Sequence, residues 1–232
     1  MLNRSIALGP DLPTPYAYKA MLYVIWRGDL ASARQVYRDA LQQVRPERLM
    51  VQAFNSDRIS GAVVTADSAL RGALASVSAA TFAGDSARYH LLKAEAAWFA
   101  GDGPARLAHA DSARRAFEAA LSALPDDPRL LSHLGVVYSF LGRHADAIRA
   151  GRRAVERLPI TRDAHAGPFV VTGLARTYML AGQPDSAIAL LEPLLRIPSW
   201  VSPAELRTDP TWAPLRDHPR FRELTDADAA NP

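Results

Sequence analysis

Six histidines and one pair of adjacent aspartates are the residues of this 232-residue chain that could support metal binding or acid–base chemistry. The histidines show no His-Glu-x-x-His pair and no other metal-ligand spacing. They lie at positions 90, 109, 133, 144, 165 and 218. Asp126 and Asp127 could pass for paired carboxylates, but an aspartate directly before Pro128 is typical of a helix N-cap. The pattern therefore predicts neither a metal site nor a catalytic acid–base pair.

Motifs of phosphate-transferring and hydrolytic enzymes are also missing from the sequence. It contains no Gly-rich phosphate loop, no His-Arg-Asp catalytic loop, no Asp-Phe-Gly and no Gly-x-Ser-x-Gly elbow. Gly101-Asp102-Gly103 places two glycines at a predicted helix end, which is not a dinucleotide fingerprint. We therefore expect a chain with no catalytic activity and no cofactor.

One cluster of basic residues could bind anions. It consists of Arg149, Arg152, Arg153 and Arg157. Their spacing puts Arg149, Arg153 and Arg157 on one stripe of a helix, where they could receive phosphates or an acidic segment. The alternative is a solvated outer face on which the arginines pair locally with Asp146 and Glu156.

The composition is that of a globular protein. Apolar residues make up 49% and charged residues 22%, and the net charge is only +3, which excludes a disordered chain and gives no nucleic-acid signature. All basic residues except Lys19 and Lys93 are arginine, and the chain has no cysteine. The longest apolar run, 187–195, is interrupted by Glu192 and Pro193, so no membrane span is predicted. We expect a soluble chain.

A repeated residue pattern indicates how these residues are positioned. Around Gly142 the pattern consists of Leu134, Gly135 and Tyr138 before the glycine, and Ala147, Ala154 and Pro159 after it. Nearly the same residue types occur at these positions around Gly182, and the residues around Gly28 match the pattern less closely. This is the tetratricopeptide repeat (TPR) pattern of about 34 residues. It predicts an all-α, TPR-type α-solenoid, a right-handed superhelix of antiparallel helix pairs.

The repeat frame also predicts the organisation of the chain. Around Gly101 the pattern holds if seven residues, Gly103 to His109, are inserted, which would lengthen the second helix or its turn. The N-terminal residues resemble the end of a repeat's second helix, which suggests a longer solenoid; the alternative is that the first helix is an improvised cap. The predicted units are 1–13, the tail of a truncated preceding repeat; 14–46, a TPR; 47–86, a degenerate helical pair; 87–125, a TPR with the insertion; 127–159 and 168–199, two TPRs; 200–224, C-terminal capping helices; and 225–232, a flexible tail.

The predicted C-terminal cap begins with Ser202-Pro203-Ala204-Glu205, which has the form of a capping box with proline at the first helical position. Six apolar residues could seal the open edge of the last helix pair. They are Trp200, Leu206, Trp212, Leu215, Phe221 and Leu224.

The stretch from Asp111 to Leu224 resembles the C-terminal TPR region of bacterial serine/threonine protein kinases and related multidomain signalling proteins. The most distinctive match is Leu206-Arg207-Thr208-Asp209-Pro210-Thr211-Trp212-Ala213-Pro214-Leu215-Arg216, followed by Pro219-Arg220-Phe221. The resemblance implies a cytoplasmic regulatory or interaction segment of a longer chain that could carry a kinase or cyclase domain, and it brings no catalytic residues with it.

First helices line the concave face in this family, so the repeat frame gives a candidate groove for a peptide, a protein or an adjacent domain. Its residues are Tyr18, Leu22, Ile25, Trp26, Leu91, Leu92, Glu95, Trp98, Phe99, His133, Val136, Phe140, Arg176 and Met179. The groove is mainly apolar and aromatic, as in peptide recognition, with Trp98 as the expected anchor. One alternative is that these residues pack within the solenoid or are covered by a further segment of a longer chain. Another is that the Arg149, Arg153 and Arg157 stripe makes the chain a phosphate- or nucleic-acid-binding transcriptional regulator segment.

Overall fold

A computed structural model describes residues 1–56, 67–82 and 84–226 of the chain. Within these ranges the chain forms helices joined by turns, and no strand is present. The predicted degenerate pair at 47–86 lies partly outside the described residues. Of the predicted tail at 225–232, Thr225 and Asp226 belong to the last described helix, and the rest lies outside the described residues.

The α-helices are numbered in chain order. They are α1 (Leu2–Leu8), α2 (Pro13–Arg27), α3 (Leu30–Ala40), α4 (Pro46–Ser56), α5 (Ser68–Ala75), α6 (Ser86–Ala100), α7 (Gly103–Ala123), α8 (Pro128–Phe140), α9 (His144–Arg157), α10 (Gly167–Leu180), α11 (Pro184–Leu194), α12 (Pro203–Thr208) and α13 (Pro219–Asp226). Two short 3-10 helices cover Ala79–Phe82 and Pro210–Leu215.

Consecutive helices pack as pairs, and the pairs stack. The pairs are α2 with α3, α6 with α7, α8 with α9, and α10 with α11, and each second helix also contacts the next first helix from α7 onward. Asp127 caps α8 as predicted, since its carboxylate accepts the backbone N–H groups of Arg129 and Leu130 at 2.9 Å each. The inserted residues lengthen α7, which has 21 residues, whereas α9 has 14.

Glycine ends the first helix of each framed pair. Gly28, Gly101, Gly142 and Gly182 have φ between 62° and 73°, the left-handed conformation that the repeat pattern predicts. Gly135 has a different role, because a Cβ atom there would lie 3.2 Å from Thr177 Oγ1 and 3.3 Å from the Ala147 carbonyl oxygen. Small residues therefore permit the close approach of α8, α9 and α10.

The C-terminal helices pack against the last pair. Leu206, Trp212, Leu215 and Phe221 are buried in one cluster with residues of α10 and α11, and Leu224 packs against that cluster. Trp200 differs from the expectation, because it contacts the core formed by the earlier helices and stacks on Phe169.

The C-terminal region also reaches back to the first helix pair. Helix α12 packs against α2, and the Ser202 hydroxyl donates a hydrogen bond to the Ile25 carbonyl oxygen. Ser202 also caps α12 by accepting the Glu205 backbone N–H at 3.0 Å. The Glu205 carboxylate accepts the indole N–H of Trp212 at 3.0 Å, which connects α12 to the second 3-10 helix. The C-terminal helices thus contact both the first helix pair, through α2, and the last pair, α10 with α11.

The contact between α12 and α2 can be tested at Gly28. An added Cβ there would lie 2.8 Å from Thr208 Cγ2 and 3.1 Å from the Ala204 carbonyl oxygen, whereas at Gly142 nothing lies within 4 Å. Because both glycines are left-handed, both alanine variants should lose about 1 kcal/mol of unfolding free energy. We expect Gly28→Ala to lose about 1–3 kcal/mol more from overpacking against α12, measured by urea unfolding. If the two variants lost the same unfolding free energy, a methyl group at Gly28 would not be overpacked against α12.

Candidate functional site

The inner face is the surface formed by the first helices α2, α6, α8 and α10, where the groove was predicted. Most of the predicted groove residues are covered by the chain itself. Eight are buried: Ile25, Leu91, Leu92, Glu95, Val136, Phe140, Arg176 and Met179. Leu22, Trp98, Phe99 and His133 are half-buried, while Tyr18 and Trp26 are exposed on α2. Most of the candidate groove therefore packs within the solenoid, which is one of the alternatives given by the sequence analysis.

An ion pair lies at the centre of the inner face. Arg176 of α10 donates to Glu95 of α6 at 2.6 Å, and the side chains of the two residues are only 4% and 3% exposed. The guanidinium carbon of Arg176 also lies 5.5 Å from the ring centre of Trp98 and 5.7 Å from that of Phe140. The pair connects helices that are 81 residues apart in sequence. It explains why Arg176, expected to face a partner, is unavailable to one.

The segment after α12 adds a second buried carboxylate near this pair. Asp209 accepts the backbone N–H of Thr211 at 2.8 Å and begins the second 3-10 helix. Burial raises the pKa of Asp209 to about 6, while the hydrogen bonds from Thr211 and the charges of Arg176 and Arg216 act in the opposite direction. The inner face is thus covered partly by a C-terminal segment that sequence analysis placed only at the edge.

Trp98 belongs mainly to the packing of the inner face. Its ring centre lies 4.6 Å from that of Phe99 and 5.8 Å from that of Phe140. It contacts both of the larger buried clusters, one formed by the earlier helices and one by α10 to the C-terminal helices. Trp98 therefore contributes to packing within the chain, and its role as an anchor for a partner stays a prediction.

In the described part of the chain, an open cavity with a volume of about 630 Å³ lies on the inner face. It lies among the N-terminal halves of α6, α8 and α10, where α6 and α8 make much sparser direct contact than α8 and α10. Its apolar lining includes Leu91, Phe117, Leu130, Phe169 and Val170. This volume falls within the range of about 300–1,000 Å³ that is typical of ligand sites.

The rim of the cavity carries charges of both signs. Arg88 and Arg129 lie near Asp85 and Asp127, which cap α6 and α8. His165 is exposed at the rim, and its ring contacts those of Phe169 and Trp200 at centre distances of 6.1 and 5.9 Å. Trp200 thus stands beside the cavity rather than at the edge of the last helix pair. Of the predicted groove residues, Leu91, Glu95 and His133 line the cavity.

The predicted anion patch on α9 is largely paired. Arg149 forms an ion pair with Asp146, and Arg153 and Arg157 both pair with Asp126. Arg152 donates to the Tyr178 hydroxyl at 2.7 Å. The structure therefore favours the solvated face with local pairing, although Asp126 takes the place that sequence analysis gave to Glu156.

Two further kinds of site are missing from the described ranges. Within 1–56, 67–82 and 84–226, no three histidine, aspartate or glutamate side chains come together as metal ligands. The described helices also include none long and apolar enough to cross a membrane.

Comparison with known families supports the repeat assignment. A tetratricopeptide repeat family model matches residues 168–193, which cover nearly all of α10 and α11. No curated protein is similar enough in sequence to be matched to this chain. The helix pairs, their left-handed glycines and this match together identify the fold as an all-α, TPR-type α-solenoid with a tetratricopeptide repeat at 168–193.

Proposed function

We propose that this chain is a non-catalytic protein-interaction module that binds a segment of a partner protein, or of an adjacent domain, in the inner-face cavity. The observation that carries the proposal is the cavity itself, which is open and mainly apolar and is built from three successive first helices. Tetratricopeptide repeats generally mediate protein–protein contacts, which agrees with this use of the inner face.

The resemblance of 111–224 to kinase-associated repeat regions supports a finer proposal. In that setting the chain is the C-terminal regulatory segment of a larger bacterial signalling protein, such as a cytoplasmic serine/threonine kinase. The cavity would then hold a peptide or a neighbouring domain of the signalling assembly. The alternative based on phosphate or nucleic acid is disfavoured, because the α9 arginines are paired with Asp126 and Asp146.

A peptide selection with a blocked cavity tests the proposal. Short random peptides displayed on phage are selected on the wild-type chain and then measured on Leu130→Trp, which places a larger side chain in the cavity wall. Leu107→Trp is the matched control, because Leu107 is 45% exposed on α7 and does not line the cavity. Since filling the site removes a central contact, we expect selected peptides to bind Leu130→Trp at least about tenfold more weakly. They should bind Leu107→Trp as they bind the wild type.

Two results would refute a partner site in the cavity. One is a selection that enriches no peptide at all. The other is a set of enriched peptides that bind Leu130→Trp as tightly as they bind Leu107→Trp.

A further inference from the structure

Ser132, a residue of the cavity wall, has a buried hydroxyl group without a hydrogen-bond partner in the described structure. It lies on α8 and is only 2% exposed. A buried hydroxyl without a partner is unfavourable, so such a group calls for an explanation.

Neighbouring hydroxyl groups on the same inner helices behave differently. Ser139 donates to the Gly135 carbonyl oxygen at 3.0 Å, and Thr177 donates to that of Gly173 at 2.9 Å. The Thr172 hydroxyl donates to the Pro168 carbonyl oxygen at 2.8 Å. Each of these side chains is satisfied by the carbonyl four residues earlier in its own helix. Ser132 makes no such bond, and its hydroxyl is enclosed by the cavity wall, so a group that enters the cavity can bond to it only when the serine side chain turns about its Cα–Cβ bond.

The surroundings of Ser132 define the shape of that group. Leu91, Phe117 and Val170 offer apolar walls, which suit a large apolar body. Glu95, the other buried polar residue of the lining, is already paired with Arg176. A group that fits the cavity therefore has an apolar body and one polar tip.

The cavity also disfavours two simpler classes of ligand. A purely apolar side chain would leave the Ser132 hydroxyl without a hydrogen bond. A carboxylate tip at Ser132 would lie among the apolar walls, where burying a charge is costly unless it is paired. At the rim, Arg88 and Arg129 are accompanied by Asp85 and Asp127, so the surface complements a segment without strong net charge.

We infer that the cavity recognises a tyrosine side chain of the partner segment, with the phenol hydroxyl bonded to Ser132 Oγ and the ring held by the apolar walls. A tyrosine ring combines a large apolar body with one polar tip, and the phenol can either donate or accept. This inference rests on the proposed function, because it specifies the residue by which a bound segment is anchored.

The test compares peptide selections on the wild-type chain and on Ser132→Ala. Peptides selected on the wild type should share a tyrosine, and its replacement by phenylalanine should weaken binding by about threefold to tenfold, as expected for one hydrogen bond. On Ser132→Ala the tyrosine and phenylalanine peptides should bind equally. Ser139→Ala is the matched control and should retain the preference for tyrosine, because Ser139 bonds to its own helix.

A measurement on the free protein separates recognition from folding. Ser132→Ala removes no hydrogen bond within the described structure, so it should not lower the melting temperature. A lower melting temperature would show that the hydroxyl stabilises the fold, and the inference would then be wrong.

The other outcomes distinguish the inference from the function on which it rests. Peptides that need an open cavity but share no tyrosine, or whose tyrosine is indifferent to Ser132→Ala, would overturn the tyrosine inference and leave the interaction function standing. Peptides that bind Leu130→Trp and the wild type equally would overturn both.

Discussion

Replacing Arg176 by methionine should lower the free energy of unfolding by about 3–5 kcal/mol, the usual cost of removing one member of a buried ion pair. The variant would leave the carboxylate of Glu95 buried without the guanidinium that lies 2.6 Å away. It would also remove a positive charge that acts on the buried carboxylate of Asp209. Urea unfolding followed by far-ultraviolet circular dichroism measures the loss.

Arg196→Met is the matched control for this prediction. Arg196 pairs with Glu192 at the same distance of 2.6 Å, but the two side chains are 74% and 34% exposed. Because water solvates and screens such a pair, its loss should cost only about 0–1 kcal/mol. The double variant Glu95→Met/Arg176→Met should recover part of the loss, since no unpaired Glu95 charge remains. If Arg176→Met costs no more than Arg196→Met, the buried pair does not stabilise the inner face.

Features that depend on a few neighbouring residues could be predicted from the sequence. Gly142 and Gly182 end helices in a left-handed conformation, and Asp127 caps α8, because these geometries require only the local backbone and side chain. The repeat spacing then predicts the pairing of helices, since the same small and large residues recur at each interface. The fold class follows from these local signals.

The state of the inner face could not be predicted in the same way. Its burial depends on Arg176 meeting Glu95 across 81 residues and on Ser202 reaching Ile25 across 177. No periodic pattern encodes either contact, because the partners belong to different elements and occur once each. The groove expected from the repeat frame is therefore mostly core, and the cavity among α6, α8 and α10 replaces it.

Ser132 shows a second reason why the site could not be predicted. It stands in the apolar run Leu130-Leu131-Ser132-His133-Leu134, and a serine there is a recognisable signal. Sequence analysis selected His133 from this run, because the repeat frame places His133 on the concave face. Which hydroxyl stays without a partner depends on side-chain geometry, and serines within one helix can differ, as Ser132 and Ser139 do.

Replacing Trp212 by alanine should lower the free energy of unfolding by about 3–5 kcal/mol, because it removes a large buried ring and leaves a cavity. Trp212 is 2% exposed among residues of α10, α11 and the C-terminal helices. Trp212→Phe should cost less, about 1–3 kcal/mol, because it keeps an aromatic ring and mainly loses the hydrogen bond to Glu205. Trp26→Ala is the control, since Trp26 is 75% exposed, and it should change stability by no more than about 0.5 kcal/mol.

Hydrogen exchange should show which helices are destabilised by Trp212→Ala. Helix α12 joins the last helix pair to α2, through Leu206 on one side and the contact with Gly28 on the other. When Trp212 no longer holds this region, the amide protons of α12 and those at the C-terminal end of α2 should lose protection together, while α8 and α9 keep theirs. Loss confined to α12 and α13 would mean that the C-terminal helices cap only the last pair. Equal stability of Trp212→Ala and Trp26→Ala would contradict the buried position of Trp212.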